Sequence, residues 1–138
     1  MKDNPVIDLT NKDTAHHGPE TKFQTECAQV TKKVLLHAGF PQMFFHPPNE
    51  GIHKPQYRAK QKAMGVKSGV SDCIIMVPRK GFHGLVIELK VLDGKKKIGK
   101  LSDSQKTWVF DCAAMGYATY IVSDLETYKS VLAEYLYE

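Results

Sequence analysis

Asp72, Glu88 and Lys90 are charged residues in positions where an apolar strand pattern would place none. Asp72 opens the run Asp72-Cys73-Ile74-Ile75-Met76-Val77, and Glu88 and Lys90 interrupt Leu85-Val86-Ile87-Glu88-Leu89-Lys90-Val91. Side chains two apart on a strand share a face, so Glu88 and Lys90 project together while Ile87, Leu89 and Val91 point to the core. Pro78 ends the first run and Arg79-Lys80-Gly81 reads as a turn, which makes the two runs a hairpin. With the turn centred near residue 80, position 72 falls opposite position 88. Two carboxylates and an amine then gather at one end of a sheet. Close carboxylates resist each other's ionisation, and the usual relief is a hard divalent cation held by oxygen, Mg²⁺ by default with Mn²⁺ as a ready substitute. Such an ion polarises a phosphoryl oxygen and acidifies water, and a lysine beside it orients the nucleophile or stabilises developing charge. A solvated Glu88–Lys90 ion pair on an amphipathic strand explains the ExK spacing taken alone; the placement of Asp72 is what sets a metal site beside that reading.

The distribution of charge points the same way. From Lys54 to Lys106 there are 13 Lys and Arg against 4 acids, while the rest of the chain holds 6 bases and 11 acids. A basic segment of this kind suits a polyanion, because each cation that neutralises a phosphate releases condensed counterions. The candidate phosphate contacts are Lys54, Arg58, Lys62, Lys67, Lys95, Lys96, Lys97 and Lys100. A lysine-rich solvated surface with no partner remains open on charge alone.

The elements that must position these residues are legible from periodicity. Residues 1–18 carry no pattern and read as a flexible arm, leaving 19–138 as a single domain. Pro19 and Glu20 open a helix whose apolar positions Phe23, Cys27, Val30, Val34 and Leu35 recur at helical spacing until Gly39, giving a helix over 20–38. A short strand is expected over 43–46, an exposed basic helix over 55–64, and strands over 72–77 and 82–92. Ser102 caps a helix carrying Trp108, Val109, Cys112 and Met115, with Trp108 read as core. A strand over 117–122 and an amphipathic helix over 125–137 complete an α/β order. The tyrosines of that last helix, Tyr128, Tyr135 and Tyr137, are a candidate contact for a homodimer or simply cap the core.

At 138 residues, 42% apolar and 25% charged, the composition is that of a globular domain. Three scattered cysteines without a CxxC pair argue against a disulfide framework and for a reducing, intracellular compartment. The arm has no apolar signal region, and the longest apolar runs fall far short of the roughly 20 residues that span a bilayer. His16, His17, His37, His46, His53 and His83 lack ligand spacing and are assigned no metal.

Several segments in order then resemble one family. Gly69-Val70-Ser71-Asp72-Cys73-Ile74-Ile75, Gly84-Leu85-Val86-Ile87-Glu88-Leu89-Lys90, Leu101-Ser102-Asp103-Ser104-Gln105-Lys106-Thr107-Trp108 and Gly116-Tyr117 are similar to the virus-type replication-repair nuclease domain, VRR-NUC, of the PD-(D/E)XK superfamily. Pro48-Asn49-Glu50-Gly51 and 62–69 look like its other recurrent segments, and the length suggests the stand-alone form found in bacteriophages, hence the cytoplasm of a host cell.

The resemblance implies a restriction-endonuclease-like core, a mixed central sheet flanked by helices. It implies Asp72, Glu88 and the backbone carbonyl of Leu89 as ligands of Mg²⁺ or Mn²⁺, Lys90 as the catalytic lysine, and Gln105 near Lys90 or the phosphate. A helix acid completes the site. Glu20 with Gln24 fits the family's E-x-x-x-Q face and is favoured over Glu26 with Gln29. Ser71 stands where the family has Pro, a change that alters backbone stiffness and leaves the ligand intact. The implied activity is an endodeoxyribonuclease on branched DNA such as Holliday junctions, working as a homodimer; a nuclease on simple duplex or single-stranded ends, and a non-catalytic DNA-binding module, are the alternatives.

Overall fold

Apolar strand residues on both faces require cover on both faces, and the protein meets this with a helical layer on each side of one sheet. The computed structural model describes residues 4–47 and 55–137. Its elements are β1 (Val6–Asp8), α1 (Glu20–Ala38), β2 (Phe44–Phe45), α2 (Pro55–Ala63), β3 (Cys73–Ile75), β4 (Leu85–Leu89), α3 (Asp103–Ala114), β5 (Ala118–Val122) and α4 (Leu125–Tyr137). The sheet order is β1-β5-β4-β3-β2. β1, β5 and β4 run parallel, while β3 and β2 add antiparallel at the other side. This is the mixed central sheet flanked by helices that the sequence leads one to expect.

Every residue of β4 is buried, as a central strand covered on both sides must be. Leu85, Ile87 and Leu89 join Phe23, Cys27 and Leu35 of α1 and Tyr128, Val131 and Leu132 of α4 in the main core. Each such side chain contributes about 1.5–3 kcal/mol. The alternate residues Val86 and Glu88 lie on the opposite face, toward α3.

Two readings of the sequence are corrected and one alternative is decided. The described part of this segment, residues 4–18, is not a patternless arm: Val6–Asp8 pair with Thr119–Ile121 as a parallel edge strand, and Ala15 is buried while His16 stacks on Phe23. A parallel edge strand of three residues needs no alternation of its own, since its partner supplies the register. Tyr128 and Tyr135 are consumed by the core, Tyr128 bonding Thr31 and Cys73, and Tyr135 donating to the carbonyl of Val77. Among the tyrosines of α4 only Tyr137 is exposed, so that helix offers no tyrosine face to a second copy. Trp108 is half-buried at the wall of a cleft and stands outside the main core. No described helix is long and apolar enough to cross a membrane.

Candidate active site

The hairpin sets the site. Arg79 and Phe82 bridge a two-residue turn whose central residues, Lys80 and Gly81, both have positive φ, 53° and 84°. Continued without interruption, that pairing would set residue 72 opposite Leu89. Ile75 instead pairs with Leu85, so one extra residue is accommodated between Ile75 and Arg79, beside Pro78, which cannot donate to a ladder. The shifted register pairs Cys73 with Ile87 and, one step on, sets Asp72 opposite Glu88.

Asp72 and Glu88 are both held out of water. Asp72 Oδ2 accepts the Leu89 N–H at 2.8 Å. Glu88 is 1% exposed; its Oε1 accepts from Gln105 Nε2 at 3.0 Å, and its Oε2 is buried without a hydrogen bond. Burial first, and the neighbouring Asp72 second, push the Glu88 carboxyl up to about 8. Burial likewise raises Asp72, against the opposing Leu89 N–H. The pair therefore holds protons that isolated carboxyls would have lost.

Gln105 ties the remaining groups together. As N3 of α3 it forms a capping box with Ser102, its Oε1 accepting the Ser102 N–H at 2.9 Å while Ser102 Oγ accepts the Gln105 N–H at 3.2 Å. The same Oε1 accepts from Lys90 Nζ at 3.0 Å. One amide thus fixes a helix terminus, a carboxylate and a lysine, and it does so because β4 ends beneath the first turn of α3.

That turn can approach only because residue 69 is glycine. Gly69 has φ +78°, and a Cβ there would lie 2.4 Å from the Ser104 carbonyl carbon and 2.7 Å from the Gln105 nitrogen. Gly69→Ala is expected to cost at least about 2 kcal/mol from left-handed strain plus overpacking against main chain, and to dislodge Gln105. Urea unfolding reads the first effect; loss of the metal-dependent activity proposed below reads the second.

A pocket of about 250 Å³ opens onto this cluster, lined by Glu20, Gln24, Asp72, Ser102 and Gln105 among others. Glu20 and Gln24, one turn apart on α1, thus reach the pocket, and Gln24 Nε2 approaches the Asp72 carbonyl at 3.4 Å. Glu26 does not line it. Glu20 stands at the rim: among the described residues no three His, Cys, Asp or Glu side chains converge closely enough to hold a metal between them. A cation here must draw on the two carboxylates and on backbone oxygen. The residues fit one, since the buried Glu88 Oε2 has no donor and the set is wholly hard oxygen. The Leu89 N–H points toward Asp72, and in an antiparallel ladder the carbonyl of the same residue faces the same neighbouring strand.

His46 was missed by ligand spacing. β2 pairs Phe45 with Ile74, which carries His46 to the Asp72 carbonyl, Nδ1 at 2.6 Å. Only the pairing could have revealed it.

The basic residues divide into two groups. Lys95, Lys96, Lys97 and Lys100 are exposed on the loop leaving β4, where the Asp93 carboxylate accepts the N–H groups of Lys95 and Lys97. The Leu92–Ile98 bridge closes this loop beside Lys90. Arg58, Lys62 and Lys67 line a different cavity between α2 and α3. Lys54 and the segment 48–51 lie outside the described residues.

No family model matches the chain, and no curated protein does. Among solved structures it is similar to one described as a VRR_NUC domain protein, 26% identical, with a TM-score of 0.65 over 87% of this chain and 89% of that chain. The chain has the VRR-NUC fold. Within that VRR-NUC framework the strand ends, helix N-terminus and α1 described above are the parts that surround the Asp72–Glu88 pair.

Proposed function

We propose that this protein is a metal-dependent endodeoxyribonuclease acting on branched DNA. The likeness to a VRR_NUC domain protein supports a nuclease-type function. The observation that carries metal-dependent catalysis is the buried Asp72–Glu88 pair with Lys90 joined to it through Gln105, while the preference for branched DNA rests on the family resemblance alone. A structural ion pair has no use for two adjacent buried carboxyls, which without a cation meet their burial only by keeping protons that a divalent ion would displace.

Asp72, Glu88 and the Leu89 carbonyl would hold Mg²⁺ or Mn²⁺. Such an ion supplies Lewis acidity toward a phosphoryl oxygen and lowers the pKa of water. Lys90, kept by the Gln105 carbonyl oxygen at 3.0 Å, stands ready to donate to a phosphate oxygen as negative charge develops there. Glu20 and Gln24 line the pocket and would orient water entering it. Gln105 holds Glu88 through its Nε2 and Lys90 through its Oε1, so one amide sets the positions of both.

Two functional sites are needed to cut opposed strands at a four-way junction, and a two-fold homodimer supplies them. The test is incubation with duplex, splayed, flap and four-way DNA with and without Mn²⁺. Cleavage of branched forms only with metal is the expected result. Cutting of simple ends alone would restrict the activity to those, and tight binding without cleavage would make the protein a DNA-binding module.

The loop at 95–97 is expected to carry phosphate contacts. Changing Lys95, Lys96 and Lys97 to Ala should weaken binding alike for all sequences and reduce the slope of log K against log salt by up to about 2.7, at roughly 0.9 per contact. A slope equal to that of the wild type would remove this loop from the interface.

A further inference from the structure

Beside the carboxylate pocket lies a larger cleft of about 1030 Å³ between α2 and α3. Its walls differ in chemistry. Arg58, Lys62 and Lys67 come from α2 and the segment after it, whereas Trp108, Met115 and Tyr117 come from α3 and the residues that follow. Asp111 is the acidic residue of the lining. Cations on one wall and an aromatic, thioether surface on the other suit a group that is anionic at one end and flat and apolar at the other. A nucleotide has that form. A free phosphate would leave the apolar wall unused, and an apolar helix would leave three cations unpaired.

The position of the cleft narrows the choice further. Ser68 and Ser104 line it, and the next residues in the chain, Gly69 and Gln105, line the carboxylate pocket. The two cavities therefore share a thin wall, built where Gly69 packs against the backbone of Ser104 and Gln105. A strand with one phosphate at the carboxylates would cross this wall to place a neighbouring nucleotide in the cleft.

We propose that the cleft receives an unstacked base of the strand being cut, with its flanking phosphates on Arg58, Lys62 and Lys67; this rests on the nuclease reading above. A base inside a duplex enters only by giving up its pairing and stacking. The cleft therefore favours DNA whose bases beside the cut are already unpaired, which gives a physical basis for preferring branch points and single-stranded segments over continuous duplex.

Trp108 is the single tryptophan of the chain, so its fluorescence reports the cleft. In EDTA, where nothing is cut, a short thymidine oligomer is expected to quench it saturably, and a blunt duplex with the same number of phosphates to quench it far less. Met115 is 55% exposed and Phe110 62% exposed; both belong to α3 or its end, and only Met115 lines the cleft. Met115→Glu is expected to weaken oligomer binding by roughly tenfold relative to Phe110→Glu, the scale of losing one stacked base. Equal quenching by oligomer and duplex, or equal behaviour of the two variants, overturns the inference. So does a dimer in sedimentation that Met115→Glu dissociates without affecting the oligomer, which would assign the cleft to a second copy. If Mn²⁺-dependent cleavage persists beside any of these results, the nuclease reading stands without the cleft; if neither binding nor cleavage is found, both fall.

Discussion

Asp72→Asn and Glu88→Gln are each expected to abolish Mn²⁺-dependent cleavage, and Lys90→Ala to reduce it by about 10²–10³-fold, with two different binding phenotypes. The amides preserve volume and the acceptors used by Leu89 and Gln105, so the fold should survive where an alanine at the fully buried position 88 would leave a cavity and an unpaired Gln105 amide. Each amide removes one anionic ligand, and Mn²⁺ affinity by calorimetry should fall sharply. Metal-free DNA affinity should stay level near neutral pH, where burial keeps the Glu88 carboxyl protonated, and rise in Glu88→Gln relative to the wild type only above about pH 8, where a negative charge facing the phosphates is removed. Lys90→Ala should leave the Mn²⁺ isotherm nearly unchanged and lose the stabilisation of developing charge, ~3–4 kcal/mol for a single preorganised donor. Wild-type cleavage by Asp72→Asn, or undiminished metal binding by both amide variants, would show that the site lies elsewhere.

The second large effect is a pH dependence of stability that metal reverses. A carboxyl whose pKa is raised on folding binds more protons in the native state than in the unfolded one, so its contribution is complete below the unfolded value and is lost as pH rises through the folded value. For Glu88 that window runs from its ordinary 4.5 to about 8, and Asp72 is raised in the same sense. The metal-free protein should therefore lose melting temperature progressively as pH rises from about 5 to 8, by roughly 4 °C for each kcal/mol at this chain length. Glu88→Gln cannot ionise and should flatten the curve, overtaking the wild type at the alkaline end. Mn²⁺ binds only the ionised pair, so the shift it produces in the wild type should grow with pH over the same window and vanish in Glu88→Gln. A wild-type melting curve that is flat or rising in EDTA across this range would contradict the burial of the pair.

The sequence by itself determined the elements that carry strong period or punctuation. α1 is bounded by Pro19 and Gly39, α3 begins at the Ser102 cap, and α4 repeats its apolar residues every three to four positions, because local sterics, hydrogen-bond capping and one-sided burial act on neighbours in the chain. The approach of residue 72 to residue 88 was also within reach to within one residue, since a hairpin's register depends first on its short loop; the extra residue beside Pro78 decided the exact facing. What the tertiary structure alone decided was longer-ranged. β1 exists because β5 offers it a ladder, and its own three residues give no signal. Trp108 sits on a cleft because α2, joined to β3 by a loop, stands away from α3. Whether Glu88 and Lys90 form a solvated pair or a buried site was not a question spacing could answer: it turned on α3 covering that face of β4, which Gly69 permits by letting main chain approach main chain. Charge patterns say which groups could meet; only the packing of distant segments removes the water that would otherwise make such a meeting inconsequential.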